Sequence, residues 1–370
     1  MSKAGVMVIG AGPAGLAAAR HLAGSGKVSV TLIQRDGLAS FLPGILPVLL
    51  GMKPISLYRH QIALPGTQVV SGDVIALESG RVYLADGTVL NADALIAAPG
   101  LVTDTTAIPA GTRNFAVWEL DGAEKARQAV QSFTGGRVVV AITSLPYRCP
   151  PAPYGLALAL KALFQQRNQA VEVVLVTPEA RPIQALGDDA ANFLEALLRG
   201  GNVMLQTAFH LESAACRDGL LVATDGRQCS YDLGLFIPPH RRPALLKTLP
   251  GNGALVQVDA HQRTAMDMIW VAGDVAATPL PRAAGVAEAQ GRTAAASVLA
   301  VFGLNDLQPA VIPAPTCYVW ASQSEAARIQ LRFPDGLPPT GKPELLLDPP
   351  DAAIFTQALE AQKQWLRQLQ

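Results

Sequence analysis

Three glycines near the N-terminus have the type and spacing that hold a dinucleotide. Gly10, Gly12 and Gly15, within GVMVIGAGPAGLAAAR from Gly5 to Arg20, form a G-x-G-x-x-G. The first permits a tight turn, the second lets backbone N–H groups approach a pyrophosphate, and the third lets a helix close on a strand. The flanking residues supply the context this fingerprint requires. Val6 to Ile9 is a short apolar run suited to a buried parallel strand, Leu16 to Leu22 favours helix, and Val28 to Ile33 reads as a second strand. The helix N-terminus then turns its partial positive charge to the phosphates. Where an Asp or Glu commonly holds the ribose hydroxyls, the chain has Gln34, whose amide can accept one hydrogen bond and donate another. Apart from Arg35 no arginine cluster marks a 2′-phosphate.

Three later stretches bear on the same ligand. Ile269 to Ala272 reads as a strand that ends in Gly273-Asp274, ahead of an alanine-rich helix within residues 281–300. A carboxylate and a helix N-terminus there suit the ribityl chain and pyrimidine end of a flavin, the simpler alternative being that Asp274 caps a helix. Phe41 to Gly51, FLPGILPVLLG, is expected to wall an isoalloxazine ring, with Pro43 lending shape without a donor. A buried strand, Ala94 to Ala98, ends at Pro99-Gly100 and is expected to bring Gly100 to the cofactor. Together these point to FAD.

The elements that position these residues follow from the rest of the chain. At 370 residues it should form two or three domains. With 50% apolar residues, 16% charged and a formal net charge of zero, it can bury large cores and has no basic field to recruit nucleic acid or anionic lipid. Apolar runs break well short of the ~20 residues that a spanning helix needs. No basic start with an apolar block precedes the first strand, so a cytoplasmic chain is expected, or a periplasmic one if a leader has been removed. Val69 to Leu90 reads as an antiparallel unit turning at Asp86-Gly87. A second α/β unit begins near Arg137, with a strand RVVVAI, a helix Leu156 to Gln166 and a strand Val171 to Val176. Its first loop, Thr143 to Pro151, carries prolines and bulky side chains where a nicotinamide nucleotide needs glycines, so NAD(P)H is not expected as the electron donor. Further elements are a helix at Leu194 to Leu198, a strand at Val203 to Gln206, a hairpin around Cys216 to Cys229, and a strand at Leu233 to Ile237.

After residue 306 the chain is proline-rich and then helical, with Asp348-Pro349 as a start signal and Ile354, Phe355, Ala358, Leu359, Trp365, Leu366 and Leu369 on one face. That face is expected to dock on its own protein, the alternative being peripheral contact with a membrane or partner. The fold class is α/β, with two Rossmann-like dinucleotide-binding domains and a short C-terminal domain. Residues 1–110 and 251–305 form the FAD-binding domain, 111–250 the second, and 306–370 the third.

Four cysteines are present, with no C-x-x-C pair, zinc pattern or C-x-x-C-H, so any haem belongs to another chain. Two of them lie in specific contexts. GAGPAG, YRCPPAPYG at 147–155, GDVAATPLPRAAGVAEAQGRTAA at 273–295 and PTCYV at 315–319 resemble the flavoprotein disulfide reductase superfamily, most closely its flavocytochrome c sulfide dehydrogenase and sulfide:quinone oxidoreductase branch. FIPPHRRP at 236–243 adds to the likeness. The resemblance implies that Cys149 and Cys317 form a redox disulfide next to the flavin. Cys216 and Cys229 lack such context and are expected to be structural.

Three departures qualify the resemblance. No cysteine near Phe41 to Pro43 can attach the flavin covalently, so FAD should be bound noncovalently. Gly155 replaces the acid that commonly follows the Pro-Tyr of the cysteine motif. The C-terminal region is shorter than in the familiar quinone enzymes. The function implied is an FAD-dependent sulfide oxidoreductase of flavocytochrome c type, with a small sulfur substrate and a cytochrome c partner as acceptor. The alternatives are a sulfide:quinone oxidoreductase and a flavin-binding sensor or assembly protein without turnover. His240 and Lys247 could attract HS⁻, although a loop His followed by arginines is expected to be solvated; the general base is left open.

Overall fold

The computed structural model describes residues 3–338 and 340–367. The first strand, Gly5–Ile9, lies inside a five-stranded parallel sheet in the order Ile269–Val271, Ala94–Ala97, Gly5–Ile9, Ser29–Gln34, Thr67–Ser71. Strands covered on both faces need continuous apolar runs, and Ala94–Ala97 is buried at every position. Helix α1, Pro13–Ser25, connects the first two strands, with Pro13 at its first turn and Gly26 closing it in the left-handed region. Helix α2, Ile45–Leu49, is short and wholly buried. Thr67–Ser71 departs from the expected antiparallel unit because its Val69 and Val70 pair in parallel with Leu32 and Ile33. The meander that does form is Val74–Glu78, Arg81–Leu84 and Val89–Asn91.

A second five-stranded parallel sheet has the order Asn114–Ala116, Leu233–Ile237, Gly136–Ile142, Val171–Val176, Met204–Gln206. Helices α3 (Leu120–Ser132), α4 (Ala152–Gln166) and α5 (Asp188–Gly200) accompany it. Helix α4 begins four residues before the expected start at Leu156, because Pro153 is tolerated in a first turn. The chain then returns to the first sheet through Ile269–Val271 and runs into helix α6, Ala284–Val301. Helices α1 and α6 cross closely: a Cβ at Gly291 would overlap the Ala14 carbonyl.

The C-terminal region adds an element that the sequence reading did not contain. Thr316–Trp320, Ala326–Arg332 and Glu344–Asp351 form a three-stranded antiparallel sheet. The last of these runs through Asp348-Pro349, which therefore lies in an edge strand, the place a sheet tolerates proline. Helix α7, Ala352–Arg367, starts at Asp351 instead, whose carboxylate accepts from the Ala353 N–H at 2.6 Å. Its apolar face turns inward. Trp365 stacks on Phe41 with ring centroids 4.1 Å apart, Phe355 meets Trp320 edge-on at 5.0 Å, and Ile354, Ala358 and Leu366 are buried. These side chains are used within the molecule, as docking on its own protein requires; Leu369 lies outside the described residues. No described helix is long and apolar enough to cross a membrane.

Candidate active site

The N-terminal glycines are packed as a phosphate cradle requires. Gly10 has φ +99°, and its N–H donates to Ile33 O at 2.8 Å. A Cβ at Gly15 would overlap the Gly10 carbonyl, so helix and turn touch there. Gly12 differs, because a Cβ would meet nothing within 4 Å. It is also the N-cap of α1 and makes no side-chain cap bond. An open space at an uncapped helix N-terminus suits an anion. Gln34 reaches back to this loop, where its Oε1 accepts from the Ala11 N–H at 3.0 Å and its Nε2 faces Asp36 Oδ1 at 3.4 Å. The amide thus braces the glycine turn at the position expected for ribose.

Gly273 has φ +87°, and its N–H donates to Gln290 Oε1 at 2.8 Å, while Gln290 Nε2 donates to Thr278 Oγ1 at 3.1 Å. Asp274 is not the cap of α6, whose N-cap is Ala283. Ten residues of chain separate Gly273 from Ala284, where the helix starts within the expected span 281–300. Asp274 is half-buried; the shielding of its carboxyl from water raises its pKa, with Arg148 and Arg282 pulling the other way. Gly100 has φ +69° and open space where a Cβ would lie. Pro43 is exposed, and its carbonyl accepts from Gln362 Nε2 of α7 at 3.4 Å.

The two singled-out cysteines reach one neighbourhood from distant parts of the chain. Cys149 lies in the loop between Gly136–Ile142 and α4, and Cys317 in the strand Thr316–Trp320 against which α4 packs. Gly155 makes that packing possible, because a Cβ there would lie 2.8 Å from Trp320 N. Both are free thiols. Burial pushes the Cys149 thiol up to about 11, and the Asp274 carboxylate adds to the shift. Burial also raises Cys317 well above the usual thiol range, and a charge on Cys149 adds to it. Cys149 is therefore within electrostatic reach of both Cys317 and Asp274. Cys229 is buried in the hairpin Leu220–Val222 and Gln228–Ser230, and Cys216 accepts from the Val222 N–H at 3.3 Å, both packing with apolar neighbours.

The loop bearing Cys149 is anchored on several sides. Cys149 N–H donates to Arg282 O at 2.8 Å, Ala152 N–H to Cys149 O at 2.9 Å, and the Trp118 indole to Arg148 O at 3.0 Å. Arg148 is buried, bonding Leu101 O, Trp118 O and Glu119 Oε1 at 3.2, 2.6 and 2.6 Å. His240 corrects the solvated reading: it is 5% exposed and pairs with Thr103 in an antiparallel bridge. Burial and then the Arg148 charge lower its pKa to about 3, so it adds no positive charge at neutral pH. Its Nε2 accepts from the Arg148 N–H at 3.4 Å, which places the proton on Nδ1. Sequence reasoning had no role for Arg148 although it lies inside the YRCPPAPYG motif, nor for Glu179.

The second unit has no matching cradle. Nine residues, 143–151, separate its first strand from α4, against three in the first unit. Prolines at 146, 150 and 151 remove N–H donors from that loop.

A model of the pyridine nucleotide-disulphide oxidoreductases matches residues 4–291. The chain belongs to this family. Its fold is that of the flavoprotein disulfide reductase superfamily. The sulfide:quinone oxidoreductase of the hyperthermophilic bacterium Aquifex aeolicus superposes with a TM-score of 0.83 at 16% identity, covering 99% of this chain and 91% of that one. A ferredoxin reductase from Rhodopseudomonas palustris gives 0.69 at 18% identity over 90% and 83%. An NAD-dependent persulfide reductase from A. fulgidus gives 0.67 at 20% identity over 89% and 64%. Family membership implies a flavin. The residues present fit one: an open, uncapped helix N-terminus at Gly12, backbone left bare at Gly100, and a half-buried carboxylate at Asp274.

Proposed function

We infer that the chain is an FAD-dependent sulfide oxidoreductase in which Cys149 and Cys317 cycle between dithiol and disulfide. The observation that carries this reading is the placing of Cys149, from one part of the chain, within electrostatic reach of both the buried thiol of Cys317 and Asp274 of the flavin-type Gly-Asp turn. The similarity over nearly the whole chain to a sulfide:quinone oxidoreductase supports it.

Gly10, Gly12 and Gly15 would hold the pyrophosphate of noncovalent FAD, Gln34 would brace the loop at the ribose, and Asp274 would face the ribityl chain. Hydrosulfide attacks one sulfur of the Cys149–Cys317 disulfide: the S–S bond breaks, a cysteine persulfide forms, and the other cysteine leaves as thiolate. A second hydrosulfide takes the outer sulfur as hydrodisulfide and leaves both cysteines reduced. Closing them again releases two electrons and two protons, and the flavin supplies the two-electron acceptor. Burial keeps both reduced sulfurs protonated at neutral pH. The Arg282 carbonyl and the Arg148 backbone, held by Trp118, fix the cysteine loop through this cycle.

The electrons pass to a cytochrome c partner. A second reading, quinone, is favoured by the Aquifex aeolicus similarity. Anaerobic sulfide without NADH should bleach the flavin absorbance, and no bleaching would remove both readings. Reoxidation by cytochrome c or by a short-chain quinone then separates the two. Rapid bleaching by NADH alone would overturn the reading of the Thr143 to Pro151 loop.

A further inference from the structure

We propose that Glu179 is a positioning residue for Cys149, acting through Tyr147 and Tyr154 from the cleft where a second dinucleotide would otherwise lie. The inference rests on the reading of Cys149 as a redox thiol. Glu179 lies three residues beyond the strand Val171–Val176, just past the place in the second unit that matches Gln34 at the end of Ser29–Gln34 in the first. In the first unit the loop facing this place is open at Gly12. In the second the chain fills it. One oxygen, Glu179 Oε2, accepts from the Tyr147 hydroxyl at 3.0 Å, from Thr177 Oγ1 at 3.0 Å and from the Tyr154 hydroxyl. Both phenols are buried, and burial raises their pKa well above the usual value, so they stay protonated as donors. Bonds to a carboxylate are stronger than bonds between neutral groups.

The connection to Cys149 runs through the loop. Tyr147 precedes the cysteine by two residues, and its hydroxyl also lies 3.1 Å from Pro150 O, one residue after it. The phenol therefore brackets Cys149 and ties both flanks to Glu179. Cys149 itself has φ +52°, a left-handed conformation that residues other than glycine avoid. Such a residue keeps that conformation only when its surroundings fix it. Removing the carboxylate takes one partner from the Tyr147, Tyr154 and Thr177 hydroxyls, leaves Tyr147 only Pro150 O, and unties the loop from the segment after Val171–Val176, so that it relaxes away from positive φ. The Cys149 sulfur then moves relative to Cys317.

The test uses the flavin-loaded protein with Glu179→Leu, Glu179→Gln and Tyr147→Phe. Two quantities are measured: the rate of Cys149 alkylation by iodoacetamide, mapped by peptide mass, and the rate of flavin bleaching by sulfide. Glu179→Leu and Tyr147→Phe should each lower the maximal bleaching rate by roughly 10- to 100-fold, with a much smaller change in half-saturating sulfide, because a displaced reacting group costs turnover more than binding. Both should also change the Cys149 alkylation rate. Glu179→Gln, which keeps an oxygen acceptor in place, should recover most of the loss. If Glu179→Leu yields no folded flavoprotein, Tyr147→Phe against Glu179→Gln decides. Parent-like bleaching and alkylation in Tyr147→Phe overturns the inference. A parent protein that sulfide never bleaches removes the redox reading instead, and Cys149 alkylation across the variants still decides whether Glu179 fixes the loop.

Discussion

Gly155 offers a prediction that runs against both helix propensity and family pattern. It lies inside α4, where Ala would ordinarily stabilise by about 1 kcal/mol. The resemblance suggests a further gain, since an acid commonly stands at this position. The structure opposes both substitutions. A Cβ would lie 2.8 Å from Trp320 N and 3.4 Å from two Val319 backbone atoms, and backbone cannot rotate aside. Overpacking of this kind costs roughly 1–3 kcal/mol, so Gly155→Ala should be net destabilising by about 1 kcal/mol once propensity is subtracted. Gly155→Glu adds a carboxylate with no partner between helix and strand, and about 3 kcal/mol or more in total is expected. With roughly 2.1 cal/mol/K of unfolding entropy per residue over 370 residues, 3 kcal/mol corresponds to a melting decrease of about 4 °C. Differential scanning fluorimetry of parent, Ala and Glu forms at equal flavin saturation measures it. A Glu variant as stable as the parent would refute the helix-on-strand packing, and one with faster sulfide turnover would show that the missing acid had been a vacancy in the mechanism.

Two further outcomes follow from the same coordinates. Gly15→Ala places a Cβ on the Gly10 carbonyl, so the purified variant should carry little or no flavin by its visible absorbance at any stoichiometry of added FAD, whereas a Gly12→Ala variant, with open space at that point, should fold normally and lose flavin affinity alone. His240 is held neutral in the fold with its pKa lowered from 6.5 to about 3, so its contribution to stability is fully present above about pH 6.5 and is lost as pH falls toward 3; urea midpoints between pH 7 and 4 should fall less steeply in His240→Asn than in the parent, and parallel slopes would contradict the burial of a neutral ring.

What the sequence revealed depended on whether a signal was local. The glycine turn of α1, the strand at Val171–Val176 and the strand at Leu233–Ile237 were legible because short apolar runs and glycine spacing carry their own period and punctuation. The C-terminal sheet was not, because Pro349 and Pro350 sit in its last strand, where an edge position tolerates them and a sequence pattern reads them as breakers. Thr67–Ser71 was assigned to the wrong sheet because pairing partners are set by tertiary packing. In the candidate site, Cys149, Cys317 and Asp274 could be named from motifs, but not the burial of His240 or the charge contacts of Arg148. Those depend on segments distant in sequence meeting in the fold, from Glu119 and Arg148 to Thr103 and His240. Glu179 lies three residues beyond the strand Val171–Val176, and nothing local in the sequence ties it to Tyr147 or Tyr154, its partners in the fold.

The central claim is that Cys149 and Cys317 form one redox pair. Its most direct measurement is peptide mapping of the oxidised flavoprotein by mass spectrometry without reductant. A cross-linked peptide joining Cys149 to Cys317 should appear, and anaerobic sulfide should abolish it while leaving extra sulfur on one of the two. Oxidised protein in which the two cysteines are never linked, or a link that survives excess sulfide after the flavin has bleached, would contradict the account.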